Sequence, residues 1–380
     1  MTLNFLPYSR QFIDQADIDA VTAVLRSDWL TQGPDILAFE QEIAEYVGAR
    51  FAVAVSSGTA ALHLCYLAVG LGEGDEILTT PNTFVATSNA ALYCGAQPRF
   101  VDIDLETGLI NCALVEAMIT PKTKALVPVD FAGCPSDLAP LYALAKKHGL
   151  VVIEDASHAL GAKYRDSIVG DGTYADMTVF SFHPVKPITT GEGGVITTND
   201  PALYEKLLRL RTHGITKTEM SQNPGPWYYE MTDLGFNYRM TDFQAALGRT
   251  QLAKLDGFVA SRHETALRYD EAFKNLSNVR PLRVPDGCVS GHHLYVVRID
   301  FDAIGQTRAE VMATLKEKGM GSQVHYIPVY HQPYYQSVLA EMPVCPVMEQ
   351  YYRGALSIPL YSFMSGADVQ RVIDAMCVYG

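Results

Sequence analysis

Short apolar runs alternate with segments of helical spacing through the first half of this 380-residue chain, and this alternation restricts the fold more than any other feature. Near-continuous apolar strands separated by helices are typical of a mostly parallel sheet with helices on its faces. The pattern predicts strands at residues 52–55, 76–79, 99–101, 125–129, 151–154, 177–182 and 194–198. It predicts helices at residues 13–26, 36–47, 59–69, 85–94, 112–118, 138–148 and 201–211. We therefore expect an α/β fold.

The last third of the chain indicates a second, smaller α/β unit. After a predicted helix at residues 242–255, the chain contains predicted helices at residues 258–275, 307–318 and 368–379 and a predicted strand at residues 294–300. The length of the chain exceeds that of one typical domain. We place the boundary near Gly257, which gives a large unit of residues 1–257 and a small unit of residues 258–380.

Composition and charge argue against several classes of partner. The formal net charge is -13 and no run of lysine or arginine occurs, so nucleic acid and anionic membranes are poor partners. No apolar run reaches the roughly 18 residues of a membrane span, and the first residues lack the features of a secretory leader. The seven cysteines are scattered without a Cys-x-x-Cys pair, which favours reduced thiols. We expect a cytoplasmic protein without a metal site.

Lys186 lies between an apolar strand and a glycine-rich turn, and no other lysine or arginine lies within ten residues of it. Phe180, Phe182 and Pro184 precede it, so we expect its stem to be buried. Burial disfavours the ammonium form of a lysine. A desolvated amine is the nucleophile that Schiff-base chemistry on a carbonyl requires. The alternative is a structural lysine whose amine extends from a strand end into water.

Two other segments place polar residues directly after predicted strands. Ser57, Gly58 and Thr59 join a strand to a helix, where free N–H groups and two hydroxyls could bind an anion. The alternative is an ordinary helix N-cap. Asp155 follows a buried strand, which is where ligands bind in open α/β sheets. It could hold a ring nitrogen protonated, or it could simply cap a helix.

Residues 233–244 combine amide, phenol and guanidinium donors in an irregular stretch before a predicted helix. The planar guanidinium of Arg239 suits a carboxylate or a phosphate. Thr241 and Gln244 have the spacing of a capping box, so the same stretch could be a loop that ends at a helix cap. Both interpretations can hold together.

Taken together, these residues resemble the DegT/DnrJ/EryC1/StrS family of sugar aminotransferases, which use pyridoxal 5'-phosphate. The shared pattern consists of Ser57-Gly58-Thr59, Glu154-Asp155, Ser181-x-x-x-x-Lys186, Glu192-Gly193-Gly194 and Asn237-Tyr238-Arg239. The resemblance runs from Gly33 to the C-terminal helix. It implies the fold type I architecture of these enzymes, with a mixed, mostly parallel seven-stranded sheet in the large domain. It also implies a homodimer with shared active sites.

The resemblance further implies roles for individual residues. Lys186 would bind the cofactor covalently and shuttle the proton, and Asp155 would pair with the pyridine nitrogen. Phe84 would stack on the ring, and His158 would reach its phenolic oxygen. The cofactor would alternate between pyridoxal and pyridoxamine phosphate. Its phosphate would be held by Ser57, Gly58, Thr59 and Ser181, and by Asn237 of the partner subunit.

Within the family, residues 157–161, 181–190 and 323–330 are similar to the branch that serves pseudaminic acid biosynthesis. This implies transfer of an amino group from L-glutamate to C4 of UDP-2-acetamido-2,6-dideoxy-β-L-arabino-hexos-4-ulose. The residues expected at the substrate site are Tyr8, Asp28, Trp29, Leu30, Thr31, Arg239, His325, Tyr326 and Ile327. The alternatives are a GDP- or dTDP-linked 4-keto-6-deoxy sugar, or a non-catalytic binding or regulatory protein built on this fold.

Overall fold

A computed structural model describes residues 5–216 and 225–380. The first residues, in which we expected no secretory leader, include residues 1–4, which lie outside these ranges. The strands are β1 (Phe51–Val55), β2 (Glu76–Thr79), β3 (Gln97–Phe100), β4 (Thr123–Val127), β5 (Val151–Asp155), β6 (Lys163–Tyr164), β7 (Ser167–Ile168), β8 (Met177–Ser181), β9 (Gly194–Thr198), β10 (Ile215–Thr216), β11 (Glu230–Met231), β12 (Val279–Pro281), β13 (Cys288–Val289), β14 (Tyr295–Ile299) and β15 (Ala355–Ile358). The helices are α1 (Gln15–Leu25), α2 (Pro34–Val47), α3 (Gly58–Ala68), α4 (Ala86–Tyr93), α5 (Cys112–Met118), α6 (Leu138–Lys147), α7 (Pro201–Arg211), α8 (Asp242–Leu252), α9 (Leu255–Phe273), α10 (Arg308–Glu317), α11 (Pro333–Val338), α12 (Pro346–Gly354) and α13 (Gly366–Met376).

The central sheet has seven strands in the order β1-β9-β8-β5-β4-β2-β3. Strand β9 runs antiparallel to both of its neighbours, β1 and β8, and the other pairs are parallel. Each of these strands was predicted, and its observed ends lie within two residues of the predicted ones. The predicted α/β class and the mixed, mostly parallel seven-stranded sheet are therefore confirmed.

The alternation of side chains along each strand explains why helices cover both faces of this sheet. In β1, Val53 and Val55 pack into an apolar cluster with α3 on one face. Ala52 and Ala54 point the other way and pack into a cluster with α2. Strands that are buried on both sides can be apolar throughout, which is why the sequence pattern predicted them well.

The C-terminal part of the chain builds a separate three-stranded antiparallel sheet in the order β12-β14-β15. Its apolar cluster includes Tyr269 of α9, Val297 of β14 and Val372 of α13. Leu6, from the N-terminal segment, packs in the same cluster. Gly257 lies inside α9, so a continuous helix crosses the boundary that we expected there. The division into a large and a small domain remains a proposal.

No helix within residues 5–216 and 225–380 combines the length and the apolar character needed to cross a bilayer. In the same ranges, no group of three or more histidine, cysteine, aspartate or glutamate side chains is arranged to hold a metal ion.

Candidate active site

A cavity of about 620 Å³ opens at the carboxyl edge of the central sheet. Residues that follow β1, β4, β5 and β8 line it, together with a segment near residue 325 from the C-terminal part of the chain. The carboxyl ends of parallel strands are where open α/β sheets bind ligands. The cavity brings together the predicted residues Tyr8, Ser57, Gly58, Thr59, Phe84, Asp155, His158, Ser181, Lys186, His325, Tyr326 and Ile327.

The other six predicted residues lie outside this cavity and form a second group. They are Asp28, Trp29, Leu30, Thr31, Asn237 and Arg239. Residues 28–31 are exposed and lie against the start of α8. Thr31 pairs with Thr241, and the Leu30 carbonyl accepts a hydrogen bond of 3.0 Å from the backbone N–H of Asp242. Asn237 and Arg239 immediately precede that helix, whose predicted capping box at Thr241 and Gln244 is confirmed.

Lys186 lies in the turn after β8, with its backbone N–H donating to the carbonyl of His183 at 2.9 Å. Its amine lines the cavity. Burial lowers the pKa of Lys186 from 10.5 to about 8, and the nearby carboxylate of Asp155 acts in the opposite direction. A lysine with this pKa is partly neutral close to physiological pH. Its amine can therefore act as a nucleophile and as a proton carrier.

Asp155 ends β5, and three donors hold its carboxylate. Thr87 Oγ1 donates to Oδ2 at 2.7 Å. The hydroxyl of Ser157 donates to Oδ1 at 2.6 Å, and its backbone N–H donates to the same oxygen at 3.2 Å. These contacts fix the direction in which the carboxylate faces the cavity. An oriented, buried carboxylate of this kind can hold a protonated ring nitrogen.

The start of α3 forms an anion site with the end of β8. Ser57 is the N-cap, and its hydroxyl accepts a hydrogen bond of 3.1 Å from the backbone N–H of Ala60. A Cβ on Gly58 would lie 2.9 Å from the Cβ of Ser181, so only glycine allows this close approach without displacement. The remaining free N–H groups of the helix start, the hydroxyl of Thr59 and that of Ser181 can bind a phosphate.

Aromatic and imidazole rings form another part of the cavity wall. Tyr326 Oη lies 3.2 Å from Nε2 of His158. Nδ1 of His158 is buried and has no hydrogen-bond partner among the residues that the structure describes. Burial, followed by the charge of Lys186, keeps the pKa of His158 well below its ordinary value, so the ring is neutral. Phe84 is 58% exposed and lines the cavity, so the face of its ring is available to a flat ligand.

His325 is fixed more firmly than its position on an irregular segment suggested. Its Nδ1 lies 2.8 Å from the hydroxyl of Ser357 in β15, and its carbonyl accepts a hydrogen bond of 2.7 Å from Tyr351. The ring of Tyr8 packs 5.4 Å away. Burial lowers the pKa of His325 to about 3. This segment therefore presents a rigid, uncharged polar surface to the cavity.

Sequence reasoning missed several residues at the cavity. The hydroxyls of Thr87 and Ser157 hold the carboxylate of Asp155. His293 lines the cavity with its ring 4.4 Å from that of His158, and its Nδ1 is buried without a partner in the described parts of the chain. His183, Gln323 and Gln332 also line the cavity. His183 and Gln323 lie in stretches that resemble the pseudaminic acid branch, but the resemblance gave neither of them a role, and no sequence pattern assigned a role to His293 or Gln332.

The residues present fit pyridoxal phosphate. The anion site suits its phosphate, the carboxylate of Asp155 its ring nitrogen and the amine of Lys186 its aldehyde. The exposed face of Phe84 and the unpartnered Nδ1 of His158 suit a flat ring with a polar substituent.

Comparisons with known proteins identify the family of the chain. The model of the DegT/DnrJ/EryC1/StrS aminotransferase family matches residues 11–377. The Bacillus subtilis spore coat polysaccharide biosynthesis protein SpsC is 43% identical over 377 residues, which cover 98% of this chain and 96% of that protein. An uncharacterized protein of Methanocaldococcus jannaschii, MJ1066, is 39% identical over 98% of this chain and 97% of its own length.

Solved structures are similar over almost the whole chain. Helicobacter pylori PseC, an aminotransferase involved in the biosynthesis of pseudoaminic acid, is 35% identical, with a TM-score of 0.92 and 99% of both chains covered. The PMP form of Spr1654 from Streptococcus pneumoniae is 30% identical, with a TM-score of 0.91 and 98% of both chains covered. Spr1654 is also known in its PLP form. On this evidence of sequence, fold and site, the chain belongs to the DegT/DnrJ/EryC1/StrS family and is a sugar aminotransferase that uses pyridoxal phosphate.

Proposed function

We propose that the protein transfers the amino group of L-glutamate to C4 of a UDP-linked 4-keto-6-deoxy-N-acetylhexosamine, as in pseudaminic acid biosynthesis. The observation that carries this proposal is the likeness to PseC over 99% of both chains. Residues from the three stretches that resemble the pseudaminic acid branch also line the cavity, among them His158, His183 and Tyr326. We place the reaction in the cytoplasm, where nucleotide-linked sugars are available.

The residues of the cavity have different roles in the two half-reactions. Pyridoxal phosphate, when bound, supplies an electron sink and carries the amino group from one substrate to the other. Lys186 Nζ removes the proton from the amino-bearing carbon of glutamate and later delivers a proton to C4 of the sugar. Its lowered pKa allows the amine to alternate between the two protonation states near neutral pH. Asp155 keeps the ring nitrogen protonated, and Tyr326 and His325 orient the sugar.

We also propose that two subunits share each active site. Among the described residues that line the cavity, Lys186 is the one lysine or arginine. Glutamate and a nucleotide diphosphate both carry negative charge, so the site needs further cations. Arg239 lies outside the cavity of its own chain. Arg239 of the partner subunit would supply a cation and Asn237 of the partner subunit would reach the phosphate, with residues 28–31 beside them.

Subunit mixing tests the shared site. Lys186→Ala and Arg239→Ala proteins are each expected to be inactive. After subunit exchange, a mixed dimer would hold one site with both defects and one intact site, so part of the activity should return. No recovery despite demonstrated exchange would place both residues in the site of one subunit.

A substrate panel tests the proposed reaction. The holoenzyme is assayed with L-glutamate and with UDP-, GDP- and dTDP-linked 4-keto-6-deoxy sugars, and kcat/KM is compared. We expect the UDP-linked N-acetylated sugar to give the highest value. A second candidate is another nucleotide-linked 4-keto sugar, which the 43% identity to a spore coat polysaccharide protein favours. A preference for a GDP- or dTDP-linked sugar would support that candidate, and Lys186→Ala is the inactive control.

A further inference from the structure

Two buried carboxyl groups, Asp130 and Glu154, lie next to Asp155, and neither forms an ion pair within residues 5–216 and 225–380. Asp130 is fully buried and Glu154 is 2% exposed. Glu154 precedes Asp155 in β5, so its side chain points to the opposite face of the sheet. Asp130 follows β4, and its backbone N–H donates to the carbonyl of Asp155 at 3.0 Å. Both groups are therefore joined to the residue that faces the ring nitrogen.

The hydrogen bonds around the two carboxyl groups leave one oxygen of each without a donor. Oδ1 of Asp130 accepts from the backbone N–H of Ser136 at 2.9 Å. Oε2 of Glu154 accepts from the hydroxyl of Thr178 at 2.8 Å. Oδ2 of Asp130 and Oε1 of Glu154 are buried and have no donor in residues 5–216 and 225–380. The parallel bridge between Val129 and Asp155 puts Asp130 and Glu154 on the same face of the sheet, on neighbouring segments, so their two oxygens without a donor can face each other.

Two carboxyl oxygens can form a hydrogen bond only when one of them carries a proton. Burial raises the pKa of both carboxyl groups, because a charged form is costly in an apolar surrounding. The charges of Asp155 and, for Glu154, of Asp171 act in the same direction. Ser136 lowers the pKa of Asp130 and Thr178 lowers that of Glu154, so either carboxyl group has a donor for its ionised form. The surrounding groups therefore oppose two negative charges and accommodate one.

We propose that Asp130 and Glu154 share one proton and form a positioning pair for Asp155, leaving one negative charge behind the carboxylate that faces the ring nitrogen. This charge strengthens the hold on the nitrogen-bound proton. The shared hydrogen bond ties the ends of β4 and β5 together, which fixes the backbone on both sides of Asp155. Neither residue touches the cofactor, and both act through Asp155.

Amide substitutions separate charge from hydrogen bonding. Asp130→Asn and Glu154→Gln each keep the hydrogen bond and one negative charge, because the amide donates to the remaining carboxylate. The double variant keeps an amide–amide hydrogen bond and has no charge. If the pair acts through its charge, the single variants should behave like the parent and only the double variant should differ.

Infrared spectroscopy of the protein without cofactor tests the shared proton. At neutral pH the parent should show the C=O stretch of a buried protonated carboxylic acid, and each single variant should lack it. Asp171→Asn, which removes a neighbouring carboxylate outside the pair, should keep the band. Absence of the band in the parent, or its survival in both single variants, would overturn the proposal. The interpretation of this band does not depend on the assigned substrate, and the measurement does not require the double variant to fold.

Absorbance titration of the enzyme loaded with pyridoxal phosphate tests the effect on the cofactor, and this step rests on the assignment of Asp155 to the ring nitrogen. The pH midpoint of the change in cofactor absorbance should be the same in the single variants as in the parent. The double variant should lower it by about one pH unit, the size expected when one charge is removed roughly 10 Å away at an effective dielectric constant of about 20. A folded double variant with the midpoint of the parent, or single variants shifted as far as the double one, would contradict an action through charge.

Discussion

The lowered pKa of Lys186 makes a prediction about the stability of the protein without cofactor. Lys186→Met keeps an unbranched side chain of similar length and removes the amine. In the parent, the folded state depresses the pKa of this lysine from 10.5 to about 8 through burial. Between these two pH values the unfolded state binds more protons than the folded state, so the stability of the parent rises with pH.

The size of the effect follows from the shift. A depression from 10.5 to about 8 corresponds to a cost of about 3 kcal/mol when the lysine is protonated in both states. This cost is full below about pH 8 and disappears above about pH 10.5. Relative to Lys186→Met, the parent should therefore gain about 1 kcal/mol in free energy of unfolding between pH 7 and pH 9.

Urea unfolding at pH 7 and pH 9, at one fixed protein concentration, measures this difference. Methionine also changes packing, but that contribution is the same at both pH values and cancels. The control is Lys122→Met, which replaces an exposed lysine far from the cavity. The difference between its free energy of unfolding and that of the parent should be the same at pH 7 and at pH 9. If the parent does not become more stable relative to Lys186→Met between pH 7 and pH 9, a desolvated amine at position 186 is refuted.

Three further substitutions test individual contacts. Thr87→Val removes the hydrogen bond of 2.7 Å to Asp155. Because a hydrogen bond to a charged group contributes about 1.5–3 kcal/mol, the Kd for pyridoxal phosphate should rise roughly tenfold to hundredfold. An unchanged Kd in a fluorescence titration would contradict the role of that contact. Gly58→Ala places a Cβ 2.9 Å from that of Ser181 and should cost about 1–3 kcal/mol of packing strain, seen as weaker cofactor binding; equal binding would show that the site relaxes freely. Tyr326→Phe should raise the KM for the UDP-linked keto sugar by up to about tenfold and spare the glutamate half-reaction, whereas equal loss in both would assign the hydroxyl to the cofactor side.

The sheet and the motifs after its strands could be predicted from sequence because each depends on local signals. The strands of the central sheet are apolar on both faces, and Ser57, Asp155 and Lys186 follow strand ends directly. Short elements such as β12 and β15 were not predicted. Their pairing partners lie far apart in the chain, with Val297 of β14 opposite Pro281 on one side and Leu356 on the other.

The supporting contacts of the site could not be predicted because they join distant segments. Thr87 reaches Asp155 across 68 residues, and His325 is held by Ser357 through the pairing of β15. A single sequence carries no local pattern for such contacts. The position of Arg239 outside the cavity of its own chain is likewise a property of the folded chain. The experiment with mixed subunits tests the role of Arg239.

The most direct test of the proposed function follows the amino group itself. The holoenzyme is incubated with ¹⁵N-labelled L-glutamate and the UDP-linked 4-keto-6-deoxy-N-acetylhexosamine, and the product is analysed by NMR. We predict ¹⁵N bonded to C4 of the sugar and one equivalent of 2-oxoglutarate for each amine formed. A sugar without label, in a protein whose cofactor spectrum still responds to glutamate, would contradict the assigned acceptor.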